Sequence, residues 1–164
     1  IGNLPLEVCE TINGSWGFNL QDRKHKSEKE LVQYLVKAAG YGSNLLLNVG
    51  PMPNGKIQEE HIESLKKIGK WIKHNGQTIY NTKRGPIAPS DEIASTQNGN
   101  IIYIHLLDNK KLEYNIEGFN SKFKKITYLN SGKKVSIEKS KEGLSIFLDD
   151  KEIDHIDTIL KMKL

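Results

Sequence analysis

Gly42-Ser43-Asn44-Leu45-Leu46-Leu47-Asn48-Val49-Gly50-Pro51 is the stretch on which the reading of the fold turns. Residues 44–49 form a continuous apolar run of strand length, which suits a strand covered on both faces, as in a parallel sheet. Gly50-Pro51 stops it. Upstream, Leu31, Val32, Leu35, Val36 and Ala39 recur at helical spacing. They follow Ser27-Glu28-Lys29-Glu30, where a Ser with Glu three residues later forms a capping box, so a helix is predicted over 28–39, ended by Gly40 and Gly42. Further upstream, residues 7–12 form a β-prone run closed by the turn signal Asn13-Gly14-Ser15. Downstream, Pro53-Asn54-Gly55 turns the chain. Ile62, Leu65, Ile68, Trp71 and Ile72 then lay an apolar stripe along a helix over about 58–74. Strand, helix, strand, helix is the pattern of βαβ units, yet two strands and two helices cannot bury both faces of a sheet. Residues 1–84 therefore read as the end of something larger, and Ile1 in place of an initiator Met carries the same expectation.

Beyond Lys83-Arg84-Gly85-Pro86 the period changes. Short β-prone runs fall at 101–107, 112–116, 125–129, 134–137, 144–148 and 158–164. Turn signals divide them at Asn98-Gly99, Asp108-Asn109, Glu117-Gly118, Ser131-Gly132 and Glu142-Gly143, at the roughly 8–12-residue spacing of an antiparallel sandwich. The expectation is thus an α/β segment over 1–84 and an all-β sandwich domain over 85–164.

The 164 residues are 37% hydrophobic and 27% charged, the composition of ordinary globular domains. The net charge is +4. Residues 1–80 hold ten basic and eight acidic residues and residues 81–164 fourteen and twelve, so the excess is spread evenly. Scattered lysines without interleaved aromatics argue against a nucleic-acid partner. No run approaches the roughly 20 apolar residues of a membrane span. The single cysteine, Cys9, allows no internal disulfide; lying inside a strand, it is expected to be buried and inert. His25, His61, His74, His105 and His155 lack ligand spacing, so neither a metal nor a cofactor is expected. His25, between Lys24 and Lys26, reads as a solvated side chain.

Three segments, in order, resemble the α-L-fucosidases of glycoside hydrolase family 29. Glu7-Val8-Cys9-Glu10-Thr11-Ile12-Asn13-Gly14-Ser15-Trp16-Gly17-Phe18-Asn19 is similar to a family segment in which Glu, Cys, Thr and Ile or Asn precede an aromatic-Gly-aromatic-Asn ending. The second comprises residues 42–51 with Asn54-Gly55-Lys56-Ile57; the third joins Ile68-Gly69-Lys70-Trp71-Ile72 to Asn75-Gly76-Gln77-Thr78-Ile79-Tyr80. A weaker likeness covers residues 156–161. Leu6 departs from the Trp that commonly precedes the family Glu, which leaves open how Glu7 packs.

The resemblance implies that the chain carries the last two βα units of a (β/α)₈-like barrel followed by an antiparallel β-sandwich. Loops 13–26 and 48–57 would then face the sugar, with the two helices outside. The full-length protein would be a retaining glycoside hydrolase removing terminal α-L-fucose from glycans. Its nucleophilic Asp and its acid/base would lie on an upstream segment, leaving this chain alone inactive. The implied partners are a fucosylated glycan and that upstream part of the catalytic domain, and the implied setting is extracytoplasmic. Trp16 is the substrate-binding candidate, an indole that offers an apolar face to the sugar's C–H groups and C6 methyl. Glu7 is the weak catalytic candidate: it opens a strand, whereas barrel chemistry sits at strand C-termini. Glu10 is weaker still. Trp71, spaced with Ile68 and Ile72, reads as helix packing. The competing function is a non-catalytic carbohydrate-binding or structural module over the β-domain, where Tyr103, Tyr114, Phe119, Phe123, Tyr128 and Phe147 alternate mostly as core.

Overall fold

The computed structural model of the chain describes residues 4–164. β1 (Leu6–Thr11) and β2 (Ser43–Asn48) pair in parallel, from Leu6 against Ser43 to Thr11 against Asn48. Between them runs α1 (Glu28–Tyr41), and after them α2 (Glu59–Asn75). The capping box forms as expected: Ser27 accepts from the Glu30 amide, and the Glu30 carboxylate accepts from the Ser27 amide. The helix passes through Gly40 and ends one turn signal later. Gly42, at φ 74°, takes the left-handed conformation, and its amide reaches the carbonyls of Ala38 and Ala39.

Two antiparallel sheets follow. The five-stranded sheet has the order β3-β4-β5-β10-β7, from β3 (Lys83–Arg84), β4 (Ile93–Asn98), β5 (Ile101–Leu106), β7 (Lys125–Tyr128) and β10 (Thr158–Lys163). The three-stranded sheet has the order β6-β9-β8, from β6 (Glu113–Glu117), β8 (Ser136–Lys139) and β9 (Gly143–Phe147). Ile102, Ile104, Leu106, Leu160 and Met162 on one sheet meet Tyr114, Ile116, Leu144 and Ile146 on the other in a buried apolar core. Each fully buried side chain of this kind stabilises the fold by about 1.5–3 kcal/mol.

The opposite face of the five-stranded sheet is also covered. Ala94, Tyr103, Leu107 and Ile159 pack against Val32 and Val36 of α1 and Trp71 of α2. The helices are therefore a middle layer, with Ile12, Leu31, Ile68, Leu47 and Val49 joining their other side to the parallel pair. Trp71 is buried as the helical stripe predicts; Leu65, at the rim of that stripe, stands partly in solvent. Among the described residues no helix is long and apolar enough to cross a membrane.

Two strands escape the sequence reading, β3 and β4. Ile93-Ala94-Ser95-Thr96-Gln97-Asn98 lacks a hydrophobic signature, yet Ala94, Ser95 and Thr96 are fully buried because both faces of β4 are covered. Small side chains fit that layer, and their hydroxyls are satisfied: Ser95 exchanges hydrogen bonds with the Ile87 backbone, and Thr96 donates to the Thr78 carbonyl at 2.6 Å.

Cys9 corrects a second expectation, for it is exposed rather than buried. It shares a face with Glu7, Asn44 and Leu46, all of them exposed, and no layer among the described residues covers that face. The parallel pair also keeps both outer edges unpaired among the described residues. A cleft of about 780 Å³, lined by Leu6, Leu35, Tyr41, Leu45 and Tyr80, opens at the N-terminal end of the pair.

Candidate active face

Parallel pairing brings the C-terminal ends of β1 and β2 to one end of the sheet, and the loops leaving them meet there. Thr11 and Asn48 form the last rung of the ladder, with both side chains on the open face. Each grips the loop after β1. The Thr11 hydroxyl lies 3.1 Å from both the Ser15 carbonyl and Asn13 Oδ1, and its one hydrogen serves one acceptor at a time. Asn48 Nδ2 donates to the Trp16 carbonyl at 2.8 Å. Gly50 then passes so close beneath that a Cβ there would stand 2.5 Å from the Gly17 carbonyl carbon and 2.7 Å from the Phe18 nitrogen. The backbone around Trp16 is held from two strands, while the residue remains 57% exposed.

The rest of the loop is tied down by charge. The Gly14 amide donates to Asp22 Oδ2 at 2.8 Å. Hydrogen bonding from Ser15, then from the Gly14 and Lys24 amides, holds the Asp22 carboxyl below the usual carboxylate range. Lys26 closes the loop, donating to the carbonyls of Thr11 (2.8 Å) and Asn13 (3.2 Å) and to Glu10 Oε1 (3.2 Å). Burial alone would push the Glu10 carboxyl up, but hydrogen bonds from the Thr11 amide, Lys26 and Tyr34 outweigh it and leave it below its ordinary value. Glu10 is thus the counter-ion of the loop-closing lysine.

Under the same loop lies a histidine pair. His25, expected in solvent, instead packs edge-on against His61 of α2, with ring centroids 5.2 Å apart and planes at 79°. The loop folds back over the first turn of α2, which turns His25 inward; Lys24 on one side of it is exposed, and Lys26 on the other turns in to close the loop. His61 is fully buried, and both its nitrogens, His25 Nε2 and Gln58 Oε1 have no partner among the described residues. Burial, and then the neighbouring His25, pushes the His61 imidazole below its ordinary value.

Glu7 is exposed near the start of β1, opposite Asn44. Four residues of strand, about 13 Å at the usual rise, separate it from Thr11 and the Trp16 loop. The fold gathers Trp16, Thr11, Asn48 and Gly50 at one end and leaves Glu7 toward the other. Thr11, Asn48 and Gly50 lie in the family-like segments but carry no signal of a role in sequence, since only the parallel register puts them together.

Residues 1–77 match the family model described as alpha-L-fucosidase. Over 152 residues the chain is 32% identical to the tissue alpha-L-fucosidase of Bos taurus, an alignment covering 87% of this chain and 32% of that one. Alpha-L-fucosidase isoenzyme 1 from Paenibacillus thiaminolyticus superposes with a TM-score of 0.85 at 30% identity, over 98% of this chain and 40% of the other. The Thermotoga maritima alpha-fucosidase solved in complex with a mechanism-based inhibitor gives 0.88 at 26% identity, over 99% and 40%. The chain spans about a third or less of the length of the curated relatives it matches.

Proposed function

This chain belongs to the α-L-fucosidase family, and on that premise we propose that it forms the closing part of a retaining enzyme that removes terminal α-L-fucose from glycans. The segment through β1, α1, β2 and α2 supplies the last two βα units of a (β/α)₈-like barrel, and the β-sandwich follows, with Lys83 and Arg84, expected in the barrel part, already paired with β4 as its edge strand. The observation that carries this reading is the unfinished parallel pair. β1 and β2 are layered by helices on one side, while their other face and both outer edges are open among the described residues. A parallel sheet normally has both faces covered, so further strands complete it. The open face bearing Glu7, Cys9, Asn44 and Leu46 is then the barrel interior, and the Trp16 loop stands at the strand C-termini where barrel enzymes keep their chemistry.

In this reading the nucleophilic Asp and the acid/base, which in a retaining pair stand about 5–5.5 Å apart, belong to the part of the family's length that this chain does not span. Trp16 offers its exposed indole to the C–H face and C6 methyl of fucose. Glu7, away from the strand ends, is structural. The β-domain braces the helix layer: Tyr103, Tyr114, Phe119 and Tyr128 are buried, leaving few aromatics for a separate glycan site.

Turnover of 4-nitrophenyl α-L-fucoside tests the proposal. In the complete enzyme, Trp16→Ala raises KM about tenfold or more, as expected for losing roughly 1.4 kcal/mol of stacking. The 164-residue chain alone releases no nitrophenol; turnover by it would overturn the assignment of the reacting acids.

A further inference from the structure

We propose that Asn48, together with Thr11 and Gly50, is a positioning set that fixes the angle at which Trp16 meets the sugar; the inference rests on the fucosidase reading and adds to it the residues that hold the binding indole. Thr11 and Asn48 are directly opposite on neighbouring parallel strands. Asn48 holds the Trp16 carbonyl at 2.8 Å, while the Thr11 hydroxyl, 3.1 Å from the Ser15 carbonyl, divides its one hydrogen between that carbonyl and Asn13 Oδ1. The peptide plane after Trp16 is thus fixed by Asn48 and the one before it is steadied by Thr11, and those planes set the direction of the Trp16 Cα–Cβ bond. Gly50 removes the remaining play, because the loop after β2 lies in backbone contact with Gly17 and Phe18 and admits no side chain between them. A residue more than half exposed has few side-chain contacts to orient it, so its backbone must do so.

The chemistry at stake is recognition of an apolar sugar face. An indole against C–H groups gains from area and from its angle to the ring. Asn48 touches neither sugar nor reacting atoms in this arrangement and acts through Trp16 alone. Removing its N–H, or replacing it with a carboxylate facing the Trp16 carbonyl, frees the loop to pivot. Binding then weakens equally in ground and transition states, which raises KM and leaves kcat in place.

Two measurements on the complete enzyme separate this inference from the reading beneath it. In 5-fluorotryptophan-labelled enzyme, the ¹⁹F lines of Trp16 and Trp71 are assigned by their disappearance in Trp16→Phe and Trp71→Phe. Asn48→Asp and Asn48→Ala shift or broaden the Trp16 line and leave the Trp71 line, whose ring is in the helix layer, where it was. If neither line moves, or both move together, Asn48 does not hold Trp16 in particular. In kinetics with 4-nitrophenyl α-L-fucoside, Asn48→Asp raises KM about fivefold to tenfold, the scale of one hydrogen bond removed, with kcat within about twofold. In a Trp16→Ala background the same substitution adds less than about twofold. A full additional loss in that background overturns the inference. A Trp16→Ala enzyme with unchanged KM would instead defeat the placement of Trp16 at the sugar, while the ¹⁹F result decides the clamp.

Discussion

His61 is enclosed on every side, carries two ring nitrogens without partners among the described residues, and leans on the edge of a second histidine. A charge there would be costly, and burial followed by His25 depresses the affinity of His61 for a proton. Asp22 and Glu60 pull the other way, while Lys24 and Lys26 flank His25 in the loop. The sign follows from linkage. In the unfolded chain the imidazole titrates near its ordinary value of about 6.5, and in the folded protein it titrates below that. The unfolded state therefore binds more protons as pH falls, so the stability present above about pH 6.5 is lost as pH drops through the folded value. Urea unfolding between pH 8 and pH 5 should show the midpoint falling, and His61→Leu should flatten that dependence with little change at pH 8. An equally steep loss in the His61→Leu protein would mean that another group carries it. Sequence could not reveal this pair, because His25 and His61 are 36 residues apart and meet only when the loop folds onto α2.

At the scale of elements, the join between helix layer and sandwich depends on a second buried histidine. His105 on β5 meets Asp157, just before β10, with Nδ1 and Oδ2 2.6 Å apart and both side chains fully buried. Gln33 of α1 donates to the Leu107 carbonyl at 2.8 Å beside it, so the pair lies where helix, β5 and the approach to β10 converge. Removing one partner strands the other without water. His105→Leu or Asp157→Leu alone should cost about 3–5 kcal/mol in chemical denaturation, and the double variant clearly less than the sum of the two. Additive losses would show that the two side chains do not act as a unit. The elements themselves are largely legible in the sequence, since α1, α2, β1 and β2 fall within about two residues of the spans that periodicity and capping predict. β3 and β4 are the exceptions: β3 is only two residues long, and β4, with Ala, Ser and Thr between two covered faces, has neither alternation nor bulk.

Over the whole molecule, stability is unevenly shared. β5 and β10 lie inside a sheet with one core on each face, whereas β1 and β2 have one face and their outer edges open. Hydrogen exchange on the 164-residue chain should leave the amides of β5 and β10 the last to exchange and those of β1 and β2 the first among the strands. Equal protection of both groups would remove the argument that the parallel pair is an unfinished sheet. The sequence by itself determined the two strands of the pair, the two helices and most of the short strands that follow, because periodicity, caps and turn residues act over a few neighbours and are written locally, and three ordered motifs carried the resemblance to fucosidases. Only the tertiary structure decided that the helices are a covered middle layer, that Cys9 faces an open side, that His25 turns inward, and that Thr11, Asn48 and Gly50 close on Trp16. Each of those depends on groups brought together by strand register and layer packing, which no local stretch of sequence encodes.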